Sequence, residues 1–232
     1  MKFREILAAA ALAMACSAAG PSLAQTAEAP PPPPAKPVFA KIAVPKGEKT
    51  AAIMFEAPIV PGDYMLLLSP LTEDGQYTQN AETFTVREKK AVWTRRGTTL
   101  QLRSAKPGTY VVRMMTTQTW WGGCFSESTV KFTVEPGKVT YLGRIDPLSS
   151  LDSITAELVR TGKTTSSGGQ LRLMKENMIA PSFTLEGATA PGEALRIARE
   201  AGFTPDLPVV AAVTLPASFK RRDKTDLTGY CQ

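Results

Sequence analysis

"GTYVVRMMTTQTWWGGCFSESTVKFTVEPGKVTYLGRID", residues 108–146, decides the fold. Between Thr129 and Val134, apolar and polar residues alternate: Val130, Phe132 and Val134 fall on one side, and Thr129, Lys131 and Thr133 on the other. A period of two is that of a strand with one face on a core and one toward water. Residues 109–114 repeat the pattern, which puts Tyr110, Val112 and Met114 on a shared face. Pro136-Gly137 and Pro107-Gly108 suit turns that place glycine at a positive φ. The simplest pairing joins the two alternating runs as a hairpin, with residues 118–126 as its loop.

Runs of the same kind extend in both directions. "VFAKIAV" (38–44), "TAAIMFEA" (50–57), "DYMLLLSP" (63–70), "ETFTVRE" (82–88) and "TTLQLRS" (98–104) read as strands, as does "KVTYLGRID" (138–146). Short strands at this spacing, punctuated by Pro, Gly, Asp and Lys, predict an antiparallel β-sandwich over 38–148. Past that point the pattern weakens. "SLDSITAELVR" fits either a strand or a short helix, and "QLRLMKENMI" returns to alternation. "APGEALRIAREAG" is a helix: Pro191 lies near its start, Glu193 in its first turn, Leu195, Ile197 and Ala198 on its apolar side, and Gly202 at its stop. Residues 149–232 are therefore a smaller α+β extension packed on the sandwich, and the chain as a whole is mainly β.

The N-terminus reads as an address. Lys2 and Arg4 precede an apolar run from Ile6 to Ala15, Gly20-Pro21 breaks it, and Ser22-Leu23-Ala24 offers small residues before a cut at Ala24. This is a secretory leader over 1–24, too short for the ~20 residues of a spanning helix. No later run is long enough either, so no transmembrane helix is expected. "LAMAC" partly matches a lipobox, which makes Cys16 a lipidation candidate and leaves two mature termini open, Gln25 or acylated Cys16. The destination is the periplasm, with an outer-membrane lipoprotein as the alternative. Residues 25–37 hold Pro30 to Pro34, a polyproline II spacer.

Chemistry is constrained by what the chain lacks. It contains no histidine, which removes the commonest general base and the commonest transition-metal ligand. No CxxC pair exists, so no zinc or dithiol motif is supported and no cofactor or metal is expected. "TGKTT" (161–165) holds part of a phosphate-binding loop, but Glu157 stands where its first glycine belongs. Glu73-Asp74 and Glu82 lie among turns without the spacing of a catalytic pair. Loss of Lys2, Arg4 and Glu5 with the leader takes the net charge from +6 to +5, and no basic stripe with interleaved aromatics points to nucleic acid. No enzymatic activity is expected.

Two features remain. After cleavage at Ala24 only Cys124 and Cys231 are left, and an oxidising compartment favours joining them. Trp120 and Trp121 are neighbours, so in an extended strand they point to opposite faces. One can plug the core while the other stacks on a sugar ring, which makes the pair the candidate ligand-binding residues.

Gly108 and Tyr110, then Pro136 to Lys138, then Tyr141 and Gly143 form a pattern G-x-Y, P-G-K, Y-x-G. It resembles bacterial periplasmic or lipid-anchored envelope proteins with a transthyretin-like or carbohydrate-binding-like sandwich. The resemblance covers about 40 residues and implies an exported sandwich without an established activity; it carries over no catalytic residue. The expected role is non-enzymatic, binding or structural. The partner is an envelope protein or the cell-wall surface, and the alternative is a glycan-binding module built on Trp120 and Trp121.

Overall fold

A computed structural model describes residues 51–60, 63–78, 81–87, 93–95, 97–117, 121–162, 173–220 and 231. The fold is mainly β, two mostly antiparallel sheets with two helices. The first nine strands are β1 (Ala51–Pro58), β2 (Tyr64–Pro70), β3 (Glu82–Val86), β4 (Trp93–Arg95), β5 (Thr98–Ala105), β6 (Gly108–Thr117), β7 (Trp121–Cys124), β8 (Thr129–Val134) and β9 (Val139–Asp146). Helix α1 (Leu148–Thr161) follows, then β10 (Leu173–Lys175), β11 (Ser182–Thr184), helix α2 (Pro191–Glu200), β12 (Val209–Ala211) and β13 (Leu215–Ala217). The run 38–44, the leader and the proline spacer lie outside the described residues.

One sheet has the order β11-β9-β1-β5-β4, with β12 also on β9. The other has the order β10-β7-β6-β2-β3, with β8 also on β6 and β13 on β8. Pairing is antiparallel except for β1 with β9, β12 with β9 and β10 with β7. The inner faces enclose a core that includes Ile53, Phe55, Leu66, Phe84, Tyr110 and Phe132. Phe55 meets Phe84 edge-on with ring centroids 4.8 Å apart, a favourable aromatic geometry. Strands from the C-terminal extension pair with both sheets, so its chain is woven into the sandwich as well as packed on it.

The alternation in β8 is as read: Val130, Phe132 and Val134 face the core. In β6 it is not. Leu67 pairs with Met114 but Leu68 pairs with Val112, so Arg113 is an extra residue, a β-bulge. The bulge resets the phase. Tyr110, Val112 and Met115 reach the inter-sheet core, whereas Met114 turns to the outer face.

The hairpin also differs from expectation. The strand returning from β6 begins at Trp121, and β7 pairs with β6 from Thr117↔Trp121 to Met114↔Cys124. Strand β8 then takes over the same edge of β6, from Val111↔Lys131 to Gly108↔Val134. The expected loop is thus half strand. Gly122 and Gly123 lie within that strand, and Gly123 is closely packed there.

The segment 148–161 resolves as helix. Its first backbone N–H, that of Leu148, is accepted by Asp146 Oδ1 at 3.1 Å. Gly162 ends it in the left-handed conformation. Ile154 is buried, and Leu151 and Leu158 pack against the inter-sheet core beside it. Helix α2 starts with Pro191 and packs Ala194, Leu195 and Ala198 on the outer face of the β1/β9 sheet. Its far side carries the ion pairs of Arg196 with Glu193 and Glu200.

Candidate functional site

The register of β7 fixes the tryptophan–cysteine segment. Cys124 lies on the outer face beside Met114 and Leu67. Trp121 and Gly123 must then face the other way, toward the core. Trp121 is half-buried against that core. Its indole N–H is buried without a hydrogen-bond partner among the described residues. A Cβ at Gly123 would lie 2.2 Å from Met178 Sδ, so any larger residue would require the Met178 side chain to move. Trp121 therefore has a packing role. Trp120 lies outside the described residues, as does Cys16.

Cys124 and Cys231 form the expected disulfide, with their Cα atoms 5.2 Å apart. Both are buried, and the bridge ties the C-terminus to the outer face of β7. Further along that face, Tyr77 and Phe219 pack edge-to-face at 5.4 Å, and Arg113 lies 4.9 Å from the Tyr77 ring centroid.

A second cluster escaped sequence reasoning. Glu56 is only 1% exposed, the one buried carboxylate among the described residues. It sits on β1 just past a register shift against β9, opposite Arg144. Its Oε1 accepts the Tyr141 hydroxyl at 3.2 Å and the Thr189 backbone N–H at 2.8 Å, and Oε2 accepts Arg144 Nη2 at 3.2 Å. Gly143, at φ +81°, makes the arrangement feasible: a Cβ there would fall 2.1 Å from the Thr184 carbonyl oxygen on the adjoining β11. Burial, then the charge and hydrogen bond of Glu56, push the Tyr141 hydroxyl well above the ordinary tyrosine range, so it remains a neutral donor. Both carboxylate oxygens are engaged. The cluster is thus an anchor, holding the segment that leads into α2 onto the sheet. The sequence did hold a signal, a lone glutamate inside the apolar run "AAIMFEAP".

The remaining candidates are dispersed. Glu73 and Asp74 occupy an exposed turn, where a hydrogen bond from Thr72 Oγ1 holds the Asp74 carboxyl below its usual range. Glu82 lies on β3, where burial raises its carboxyl against the opposing pull of Arg103 and Lys106. Tyr110 beside it is pushed up to about 12, by burial first and by Glu82 second. Gly162 of "TGKTT" closes the C-terminal end of a helix. A phosphate loop must open one, where N–H groups are free. Among the described residues no group of three or more His, Cys, Asp or Glu is placed to hold a metal ion. Nor is any helix among them long and apolar enough to cross a membrane.

Four residues of the G-x-Y, P-G-K, Y-x-G pattern have structural roles. The Tyr110 hydroxyl donates to the Lys106 carbonyl at 3.0 Å, a tyrosine corner at the entry to β6. Gly137 turns the chain at φ +71°. Tyr141 and Gly143 build the Glu56 anchor. Neither family models, curated proteins nor solved structures match the chain.

Proposed function

We propose that the chain is an exported, non-enzymatic protein of the cell envelope, with a binding or structural role in the periplasm. The observation that carries this reading is the Cys124–Cys231 bridge. Disulfides of this kind form and persist in oxidising compartments, and the leader pattern of residues 1–24 supplies the route there. The histidine-free composition and the fully engaged Glu56 carboxylate both favour a body that binds rather than turns over substrate. Lipidation at Cys16 is the finer alternative for how it is held. Because Trp121 packs on the core, a glycan-binding platform would rest on Trp120.

The test is expression with the native leader in a bacterial host, followed by intact-mass and thiol analysis of the envelope fraction. The expected product begins at Gln25 or at acylated Cys16 and shows no titratable thiol in denaturant. A cytoplasmic product that keeps residues 1–24 and two reactive thiols from Cys124 and Cys231 would overturn the reading. Titrating Trp fluorescence with peptidoglycan fragments then separates the two binding roles. A spectral change favours the glycan module; none favours a protein partner.

A further inference from the structure

Residues Leu207 to Phe219 carry no charge, and none of Val209 to Ala217 is buried. Val213 is 74% exposed and Leu215 52%. This stretch forms the outermost strands of both sheets on one flank, β12 beside β9 and β13 beside β8. Exposed edges are ordinarily guarded by a charge, a proline or a covering segment. Edge strands β3 and β10 carry Glu82 and Lys175, and Pro216 removes a donor within β13. Strand β12, Val-Val-Ala, carries neither charge nor proline.

Its outward hydrogen-bonding groups can be assigned. The Val139 N–H donates to the Pro208 carbonyl, and the Ala212 N–H to the Tyr141 carbonyl, each at 2.9 Å. Alternate residues of a strand point to alternate edges, so Val209 and Ala211 direct their backbone N–H and C=O groups away from β9. Pro208 faces β9, so its missing N–H does not protect the outer edge. Among the described residues, no strand pairs on that side.

We infer that this edge is the contact between two copies of the chain, which pair β12 against β12 antiparallel about a two-fold axis at Val210. The choice of occupant rests on charge and on register. The chain carries a net charge of +6, so two copies repel over most of their surfaces and approach best where neither presents charge. The stretch from Leu207 to Phe219 is such a place, and a partner recognised by charge would find nothing there to read. With Val210 opposite its own copy, Val209 falls opposite Ala211 of the second copy, and Ala211 opposite its Val209. All four are outward-facing residues, so each pair exchanges two N–H to carbonyl bonds and every outward group of β12 is satisfied. The same register carries the exposed Val213 toward Leu207 of the second copy. Such a contact is isologous and closes at two. It is also short, a strand of 3 residues, which places it in the weak, transient class. The inference goes beyond the envelope role and does not depend on it.

Sedimentation equilibrium of the oxidised chain tests the inference. The weight-average mass should rise from the monomer's toward twice that value between about 10 µM and about 1 mM. Ala211→Pro removes an outward N–H from each copy, two of the four inter-chain bonds, and should weaken association at least about tenfold. Ala211→Lys and Ala211→Glu each set like charges diagonally across the axis, and each alone should stay monomeric over the same range. An equimolar mixture of the two should associate again. Ala211 is exposed, and unchanged amide protection of β1 and β9 certifies the fold of each variant. A monomer at every concentration would overturn the inference. So would a mass that passes the dimer, association that the variants leave intact, or a mixture that stays monomeric.

Discussion

The two sheets cover their outer faces by different means. On the β1/β9 sheet a helix does the work: Ala194, Leu195 and Ala198 of α2, with Ala201 and Phe203 beyond its end, pack on Met54, Leu102 and Tyr141. This is layered apolar burial, contributing about 1.5–3 kcal/mol per fully buried large side chain. On the β6/β2 sheet the cover is irregular chain. Tyr77 and Phe219 make one small cluster, and Met114, Leu67 and the Cys124–Cys231 bridge make another. Among the described residues no helix lies there, and a covalent bond stands in for area. The contrast teaches that, among the described residues, one outer face is held by layered apolar burial and the other by a covalent tie.

Removing the bridge should have the largest effect. Cys124→Ala with Cys231→Ala, measured by urea denaturation, is expected to lose about 4–5 kcal/mol, the chain-entropy scale for a closed loop of this length. Amide protection should fall around Phe219 while that of α2 holds. Equal loss of protection in α2 would show that the two covers are one cooperative layer, and the contrast would fail.

On the other face, Glu56 is the point to strike. Glu56→Ala leaves the Thr189 N–H and the Tyr141 hydroxyl without their acceptor and Arg144 without its counter-charge. Hydrogen bonds to charged groups contribute about 1.5–3 kcal/mol each, and the half-exposed Arg144 recovers part of its share from water. The expected loss is about 2–3 kcal/mol, with a non-additive double-mutant cycle against Tyr141→Phe. The variant should remain as resistant to reductant as the parent. Stability unchanged within 0.5 kcal/mol, on the scale of ordinary surface substitutions, would reduce the cluster to decoration.

These two faces also show how far the sequence could be read. The alternation of Val130, Phe132 and Val134 announced a strand because each inward position is apolar and each outward one polar. The same logic failed at Met114. Arg113 bulges, and a bulge is set by the pairing partner β2, which local pattern cannot see. Helix α2 announced itself through Pro191, Glu193 and Gly202, whereas α1 has no acidic residue in its first turn and a thin apolar stripe, so strand and helix fitted it equally. The disulfide followed from counting cysteines. The Glu56 anchor did not follow, because Tyr141, Arg144 and Thr189 are brought to it only by the β1–β9 register and the α2 layer. Nor did the close packing at Gly123 follow, because its neighbour Met178 is more than fifty residues away in sequence.

The smallest effect concerns a carboxylate at the rim between the two sheets. Glu82 lies on the edge strand β3, with Arg103, Lys106 and Tyr110 about it. Burial raises its carboxyl above the ordinary glutamate range, and Arg103 and Lys106 pull it back without cancelling that effect. The folded state therefore holds this proton more tightly than the unfolded state. Stability contributed by the protonated form is fully present below the ordinary glutamate range and is lost as pH rises through the raised value. Glu82→Gln removes the titration and keeps the shape. Its Tm should match the parent's near pH 3.5 and exceed it slightly at pH 7. The reverse order, a parent more stable at pH 7, would mean that Arg103 and Lys106 outweigh burial and that the rim is held by charge, unlike either outer face.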